Sequence, residues 1–520
     1  MSGPFGSSQW MYASGGFYDF PISNSLRFED GDSATLSRTP SGASNRDTWT
    51  WSAWVKGADA ALQTLFSGGV GSGNDTFNLR IDDGQISLNS GSAALRATTA
   101  LFRDFSAWYH IVLAVDTTQS TDTNRLKLYV NGSLITVFTT SNIPAQNTDL
   151  GVNQAALHTI GSRTAADRYL NGYLAEVNFV DGSQLTASSF GETKNDIWIP
   201  KNTSGLTFGT NGFRLQFKQT GTGTASSTTI GADTSGNDNH WTSNNLVASD
   251  VVPDSPTNNF ATLNPLAKSS AITTAEGNLE ITQSANHGII KSTIAQSTGK
   301  WYCEVAIVSG ASHTIGVALN SSLVTANYIG HAADGYGYYS NGNKYTGSSA
   351  SSYGASYTNG DVMGIALDMD GGTVTFYKNN ASQGTAFSSL SGSFVFAIGN
   401  DVVNVTVANF GQDSSFAGNE TAQGNADANG IGDFYYAPPS GFLALCTANL
   451  PDPVETIDPA QGGSPQDYFN TVLYTGNSAS SHAISGVGFQ PDWVWIKNRG
   501  RANAHVLQDS VRGMGDNGVN

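Results

Sequence analysis

The residues best suited to chemistry in this chain are tyrosines within one short stretch. Residues 328–357 carry many tyrosines among Gly, Ser and Asn, which is a composition typical of loops. Tyrosine offers a rigid ring with a polar end and loses little side-chain entropy on binding, and binding residues concentrate in loops held by a rigid scaffold. The stretch therefore predicts a recognition surface. The candidate ligand-binding residues are Tyr336, Tyr339, Tyr345 and Tyr353.

Sequence patterns for catalysis are missing. A glycosidase needs two carboxylates facing each other across a cleft, and no Glu-x-Asp-x-Glu-like run occurs; a Gly-x-Ser-x-Gly elbow and a phosphate-binding glycine loop are also absent. His110 lies within an apolar strand, where a core role is expected. The isolated glutamates are expected to be exposed charges or turn ligands: Glu29, Glu176, Glu192, Glu280, Glu304 and Glu420. We predict a protein without enzymatic activity.

The first twenty residues are rich in aromatic side chains among Gly and Ser, without a helix or strand period. A free segment of this kind would expose a large apolar area. It is therefore expected to dock, either on the next domain of its own chain or on a partner assembly. The candidate anchor residues are Phe5, Trp10, Tyr12, Phe17, Tyr18 and Phe20.

Short alternating strands position these candidates. Thr48–Val55, Trp108–Val115 and Arg125–Val130 alternate between apolar and polar residues, and the last run leads into Asn131-Gly132. Asn-Gly between two such runs is a strong hairpin signal, because both residues of a type I′ turn need a positive φ. The pattern resumes after Ala271. It predicts an all-β fold of tandem antiparallel β-sandwiches joined by extended linkers.

Changes in composition along the chain suggest five segments. These are an aromatic-rich anchoring segment (1–20), a β-sandwich (21–200), an extended Gly/Ser/Thr- and Pro-rich connector (201–265), a second β-sandwich (266–450), and a linker with the start of a carboxy-terminal β unit (451–520). The last unit is thin for an independent β-domain. It either completes itself against a partner chain or is cut short.

The charge balance excludes some function classes. The chain has 24 Lys and Arg against 41 Asp and Glu, a net charge of −17, which would repel nucleic acids and anionic bilayers. Neither an apolar run long enough to span a membrane nor a classical signal peptide is found. We expect no nucleic-acid partner, no membrane insertion and no conventional secretion.

Several strands carry a family likeness. Five motifs resemble, in order and spacing, those of SPRY domains: Gly299–Val305, Ile315–Ala318, Gly360–Gly364, Val374–Asn379 and Asn409–Gly411. Four shorter motifs in the first sandwich resemble those of laminin-G or pentraxin-type concanavalin A-like domains: Trp51–Val55, Trp108–His110, Leu128–Gly132 and Leu170–Val177. In SPRY domains the corresponding strands also place aromatic residues in the core, so the tyrosines have a structural alternative.

Three further phrases are similar to runs in large structural proteins of marine tailed bacteriophages: Asp233–Trp241, Asp254–Pro265 and Phe489–Arg499. This resemblance implies a virion protein, such as a tail fibre or another surface appendage. It would place the protein on the phage particle and would explain the missing signal peptide, because phage proteins leave the host by lysis.

The laminin-G resemblance also implies calcium binding as one alternative. Asp30, Asp32 and Asp75 lie in turn-like acidic pairs, and carboxylate and amide oxygens can ligate a hard cation. The alternative is that these residues form ordinary Asx turns. No other cofactor is expected.

The function expected from these observations is adsorption. The anchor segment would attach the protein to other virion proteins, and the sandwiches would bind a host surface glycan or protein, in a homotrimer by analogy with fibres. Two alternatives remain: a capsid or tail decoration that acts only as a spacer, and a polysaccharide-degrading enzyme.

Overall fold

The computed structural model describes residues 17–70, 75–284, 287–324, 327–400, 404–479 and 481–512. Within them the fold is all-β, with two β-sandwiches in tandem, as the alternating patterns predict. Apart from one parallel pair, the described strand pairings are antiparallel.

The strands before residue 253 form both sheets of the first sandwich and a separate two-stranded sheet, in which Gly191–Lys194 pairs with Ile197–Pro200. In chain order these strands are β1 (Ser25–Phe28), β2 (Thr35–Arg38), β3 (Thr48–Gly57), β4 (Gln63–Gly69), β5 (Thr76–Asp82), β6 (Gln85–Ser90), β7 (Ala93–Thr98), β8 (Tyr109–Asp116), β9 (Leu126–Val130), β10 (Ser133–Leu134), β11 (Phe138–Ser141), β12 (His158–Ile160), β13 (Gly172–Asp181), β14 (Gly191–Lys194), β15 (Ile197–Pro200), β16 (Phe213–Leu215), β17 (Thr242–Asn244) and β18 (Val251–Val252). One sheet has the order β10-β9-β8-β3-β13-β1-β18 with β16 beside β13, and the other has the order β11-β7-β6-β5-β4-β12-β2-β17.

The second sandwich follows without a long linker. Its strands are β19 (Leu263–Lys268), β20 (Ile272–Ala275), β21 (Glu280–Gln283), β22 (Gly288–Ser292), β23 (Lys300–Ser309), β24 (His313–Leu319), β25 (Gly335–Tyr339), β26 (Asn343–Thr346), β27 (Ser349–Ser352), β28 (Val362–Asp368), β29 (Thr373–Lys378), β30 (Ala381–Phe387), β31 (Phe394–Asn400), β32 (Asn404–Asn409) and β33 (Leu443–Ala444). One sheet has the order β19-β22-β31-β24-β25-β26-β27, and the other has the order β20-β21-β32-β23-β28-β29-β30 with β33 beside β23.

The carboxy-terminal part contains 3₁₀ turns at Glu455–Ile457, Pro459–Gln461 and Pro465–Asp467, and a hairpin of β34 (Trp493–Ile496) and β35 (Val506–Asp509). Trp493 and Trp495 on this hairpin are about half exposed. The hairpin lies in the segment for which the sequence predicts the start of a β unit, and a two-stranded hairpin is at best marginally stable in water.

Strand β3 shows why the first sandwich folds. Its residues Trp49, Trp51 and Val55 alternate toward the core between the two sheets. Trp54 on the opposite face is also buried, against Trp108 and Tyr173. Both faces of β3 are therefore covered, although its sequence alternates between apolar and polar residues.

The segment 201–265 differs from the extended connector that its composition predicts. It supplies β16, β17 and β18, which pair with β13, β2 and β1. Residues 233–241 form a turn anchored to β16, because the Asp233 carboxylate accepts backbone N–H groups of Arg214, Ser235 and Asn239. Small polar residues in this segment therefore satisfy local hydrogen bonds rather than provide flexibility.

Buried charges hold the two sandwiches together, and we refer to Arg27, Glu29, Asp250, Glu276 and Asp413 as the sandwich junction. Arg27 is 1% exposed and forms ion pairs of 2.9 Å with Asp413 and 3.2 Å with both Asp250 and Glu276. Since Arg27 lies on β1 and Asp413 follows β32, one guanidinium links the two domains.

Neutral contacts and a second ion pair surround the junction. The Tyr173 hydroxyl donates to the Gly277 carbonyl oxygen at 2.8 Å, across the two sandwiches. Lys56 Nζ donates to Asp254 Oδ2 at 2.8 Å and to Asn259 Oδ1 at 2.7 Å, with both charged side chains at most 1% exposed. The residues just before β19 are thus fixed against the first sandwich.

Candidate functional site

The tyrosine-rich stretch forms strands β25, β26 and β27 at one end of a sheet, not a loop. Tyr338 pairs with Lys344, and Gly337 pairs with Tyr345. Successive side chains of a strand point to opposite faces, so this register divides the tyrosines between the core and the surface. Gly337 has no room for a side chain, because an added Cβ would lie 2.6 Å from the Ile329 carbonyl oxygen.

Tyr336 and Tyr353, two of the predicted ligand-binding residues, face inward. Tyr336 contacts the rings of Phe387 and Phe394. Tyr353 contacts Tyr338 at 5.0 Å between ring centroids, and its hydroxyl accepts the Phe376 N–H. Burial raises the pKa of Tyr353 to about 12. Both tyrosines pack against the core of the second sandwich, which is the structural alternative stated above.

Tyr339 and Tyr345, the other two, face outward and meet Tyr328, and we call these three residues the outer tyrosine cluster. The ring centroids of Tyr339 and Tyr345 are 4.3 Å apart, and Tyr328 stands nearly perpendicular to both at 5.5 Å and 5.7 Å. His287 and His331 contact Tyr328 at 5.6 Å and 5.3 Å. Five aromatic rings therefore form one surface patch.

The spacing of these rings limits what they can bind. A cation held inside an aromatic cage needs to sit over ring faces, and the centroid distances of 4.3–5.7 Å show rings already in mutual contact. Tyr339 is 7% exposed, whereas Tyr328 and Tyr345 are half-buried, so the patch offers a platform rather than a pocket. A platform of this kind suits stacking with an apolar or aromatic group.

Strand β27 lies beside this platform at the end of its sheet. All four residues, Ser349–Ser352, are exposed, and β27 pairs with β26 through Ser349–Thr346 to Ser352–Asn343. An edge strand presents backbone N–H and C=O groups that can pair with another extended chain. Platform and edge together form the candidate site.

Of the predicted anchor residues, Phe5, Trp10 and Tyr12 lie outside the described residues. Phe17 and Tyr18 are at most 9% exposed and pack on Ile197 and Ile199 of β15. Phe20 is half-buried beside Ile22, under the Arg214 guanidinium. These three rings dock on their own sandwich, which is the first of the two docking alternatives.

The predicted calcium ligands are not brought together as a metal centre. Asp75 contacts Arg46 at 3.3 Å, and Asp30 lies at another turn of the sandwich, after β1. Within the described ranges no group of three or more His, Cys, Asp or Glu side chains is arranged to hold a metal ion. In the same ranges no helix is long and apolar enough to cross a membrane.

Two groups that resemble catalytic parts have structural roles. His110 Nε2 is 2.9 Å from Ser52 Oγ, but His110 is 1% exposed between Trp54 and Trp198, and burial lowers its pKa to about 3. Glu304 is fully buried and accepts the N–H groups of Tyr435 and Tyr436 at 2.8 Å. Glu176 is also buried, in an ion pair with Arg214, so the expected exposure of the glutamates is wrong at these two positions.

Comparison with known families assigns the sandwiches. The family model of the SPRY domain matches residues 300–413. The second sandwich is thus similar to a SPRY domain. The model of the concanavalin A-like lectin/glucanases superfamily matches residues 29–190, and a family described as a domain of unknown function (DUF7483) matches residues 464–517. The predicted pair of β-sandwich classes is confirmed.

Similar curated proteins are found over the SPRY domain. The chain is 32% identical over 125 residues to a Ran-binding proteins 9/10 homolog of Drosophila melanogaster, a match covering 23% of this chain and 13% of the relative. It is 33% identical over 124 residues to Ran-binding protein 9 of Homo sapiens (23% and 17%), and 30% identical over 161 residues to that of Xenopus laevis (28% and 29%). These matches span less than a third of each relative.

Among solved structures, the SPRY domain of human HERC1 is 19% identical, with a TM-score of 0.26, covering 28% of this chain and 96% of that chain. The prediction of a bacteriophage virion protein, as a tail fibre or as a capsid or tail decoration, is contradicted, because the curated relatives are Ran-binding proteins of animals and none of these matches is a virion protein. Virion partners, virion location and a trimer are tested by none of these findings.

The residue that sequence reasoning missed is Tyr328. It lies before β25 and joins the outer tyrosine cluster only through the fold. The signal that was available is the alternation within Gly335–Tyr339, which puts Tyr336 and Tyr338 on one face and Tyr339 on the other.

Proposed function

We propose that this chain is a non-enzymatic protein-binding protein and that its SPRY domain binds an extended segment of a partner protein. The segment would lie along β27 and place an apolar or aromatic side chain on the outer tyrosine cluster. The observation that carries this proposal is the exposed edge strand directly beside a patch of contacting aromatic rings.

The chemistry of the site favours a protein segment. Edge pairing supplies backbone hydrogen bonds, and the neighbouring platform supplies side-chain selectivity, which is the division of labour in strand addition. The relatives' names state that they bind Ran, and this supports a protein as the class of partner. The earlier expectation of a surface protein or glycan is thus narrowed to a protein, whose identity is left to experiment.

The proposal is tested by selecting peptides from a random display library against the full chain and measuring their affinity by fluorescence anisotropy. We expect Tyr345→Ser and Tyr328→Ser to weaken the selected peptides about tenfold, the loss expected for a contact worth about 1.4 kcal/mol. The matched control is Tyr474→Ser, an exposed tyrosine elsewhere.

A second arm tests the edge strand. Peptides N-methylated at alternate residues lose the backbone donors needed for pairing, so one of the two methylation registers should lose binding and the other should keep it. Selected peptides that bind both tyrosine variants and both methylated registers as tightly as the unchanged chain would refute the proposal.

A further inference from the structure

A polar cleft lies at one end of the first sandwich, far in sequence from the SPRY domain. It has a volume of about 200 Å³ and is formed where the turn after β1, the β3–β4 connection and the segment before β13 meet. One water occupies about 30 Å³ in the liquid, so the cleft has room for a larger polar group. Its polar and aromatic lining residues are Asp30, Asp59, Gln63, Arg168, Tyr169 and Asn171.

The hydrogen bonds around Asp59 leave acceptors in excess. Asp59 Oδ1 accepts the Ala61 N–H at 2.8 Å and the Gln63 Nε2 group at 3.2 Å, and Asp59 Oδ2 accepts the Asn171 Nδ2 group at 2.9 Å. Gln63 Oε1 accepts the Asn171 N–H at 2.9 Å. Neutral donors thus fix the orientation of the carboxylate without cancelling its charge.

Asn171 supplies an independent sign of a missing partner. The residue is 6% exposed, and its Oδ1 atom is buried without a hydrogen-bond partner in the structure. A buried acceptor left unsatisfied costs free energy, and each such group calls for an explanation. A ligand that brings N–H donors into the cleft provides one.

The carboxylates around the cleft indicate that the ligand carries a positive charge. Within the described ranges, Asp30 and Asp59 form no ion pair with a Lys or Arg. Burial and the nearby charge of Asp30 raise the pKa of Asp59. Arg168 also lines the cleft. Its charge lowers the pKa values of Arg80 and Asp167. Among the described residues, neither carboxylate is therefore neutralised by an ion pair.

We propose that this cleft binds a guanidinium or primary ammonium group, with Asp30 and Asp59 as counter-charges and Asn171 Oδ1 as a hydrogen-bond acceptor. Both groups are cations that carry only donors, and a guanidinium can donate to several acceptors in one plane. The Tyr169 ring on the wall of the cleft suits either cation. The group would come from an Arg or Lys side chain of a protein or from a free amine.

The experiment is isothermal titration of the full chain with two probes, agmatine and N-acetyl-arginine-N-methylamide. Saturable binding of either probe is expected, and Asp59→Asn and Asp30→Asn should each weaken it about tenfold or more, because a charge-assisted hydrogen bond is lost. Asp83→Asn is the matched control, since Asp83 is exposed and paired with Arg103. Circular dichroism melting checks that each variant is folded.

The two probes distinguish an Arg or Lys side chain of a protein from a free amine as the source of the bound cation. Tighter binding of the capped arginine indicates a protein side chain, and tighter binding of agmatine indicates a free amine. The proposal is overturned if neither probe binds at millimolar concentration, or if the folded Asp30 and Asp59 variants bind as well as the unchanged chain. It is also overturned if calcium or a neutral sugar binds there in a manner that depends on Asp59 while neither cation competes.

Discussion

The sandwich junction buries charged residues, which usually lie at the surface, whereas the outer tyrosine cluster brings aromatic residues, which are usually buried, to the surface. The junction buries a guanidinium with three carboxylates, whereas the cluster leaves aromatic rings at the surface. Arg27 has three carboxylate partners within the chain, so this group of ion pairs needs no partner from outside. The rings of the cluster contact one another, and Tyr328 and Tyr345 remain partly exposed, so a partner outside the chain is what we propose for them. Residue type alone does not identify a functional surface; the completeness of its contacts does.

The largest effect is expected from breaking the junction. Arg27→Ala removes the cation and leaves Asp413, Asp250 and Glu276 buried without their counter-charge. Removing one partner of a buried ion pair costs about 3–5 kcal/mol, and urea unfolding followed by fluorescence measures it. Arg103→Ala, which breaks an exposed pair with Asp83, should cost at most about 1 kcal/mol. Equal costs for the two variants would show that the junction does not hold the domains.

The second-largest expected effect is on the pH dependence of the free energy of unfolding. Burial raises the pKa of Glu276 to about 7 and that of Glu29 to about 8, from 4.5. The folded state then holds protons that the unfolded state releases, so this contribution to stability is full below pH 4.5 and is lost as pH rises through 7 to 8. We expect the free energy of unfolding to fall between pH 5 and pH 9, and Glu29→Gln to flatten that fall. A profile unchanged by Glu29→Gln would contradict the assignment to this carboxyl.

A smaller effect separates inner from outer tyrosines. The Tyr357 hydroxyl is buried and donates toward the carbonyl oxygens of Tyr338 and His313, at 2.7 Å and 3.1 Å. Tyr357→Phe should cost about 1 kcal/mol of stability, the net worth of a typical hydrogen bond, and should leave the affinity for selected peptides unchanged. Thermal unfolding and anisotropy on the same sample measure both. A change in affinity as large as that of Tyr345→Ser would remove the distinction between the two faces.

The smallest effect is expected at the carboxy-terminal hairpin. Trp495 is 56% exposed, and its indole N–H donates to His505 within the hairpin. Trp495→Ser should change the unfolding free energy of the two sandwiches by no more than about 0.5 kcal/mol, as surface substitutions do. Urea unfolding of the variant measures this change. A loss of several kcal/mol would mean that the hairpin supports the sandwiches.

The sequence predicts those structural features that depend only on residues close together along the chain. The alternating runs become β3, β8 and β9, and Asn131 and Gly132 have φ values of 45° and 78°, as a type I′ turn requires. Strand period and turn chemistry are local, so they can be recognised without a fold.

Features that depend on distant residues are not predicted. Lys56 ends an amphipathic strand, where a charged residue suggests solvent, yet it is buried because Asp254 and Asn259 cover it. Arg27 and Asp413 are 386 positions apart. For the tyrosines, the composition indicated a loop, whereas the register of β25 against β26 decides which rings face outward.

The open edge of β27 has a consequence for the protein in isolation. Its four residues are small or polar and include neither lysine nor proline, the residues that commonly protect edge strands from pairing with other copies. The net charge of −17 is then what opposes pairing between edge strands of two copies, because it makes the copies repel each other at long range. Salt shortens the range of that repulsion to about 3 Å at 1 M. We therefore expect the unbound protein to self-associate as ionic strength rises, and a bound partner segment to act as its solubilising cap.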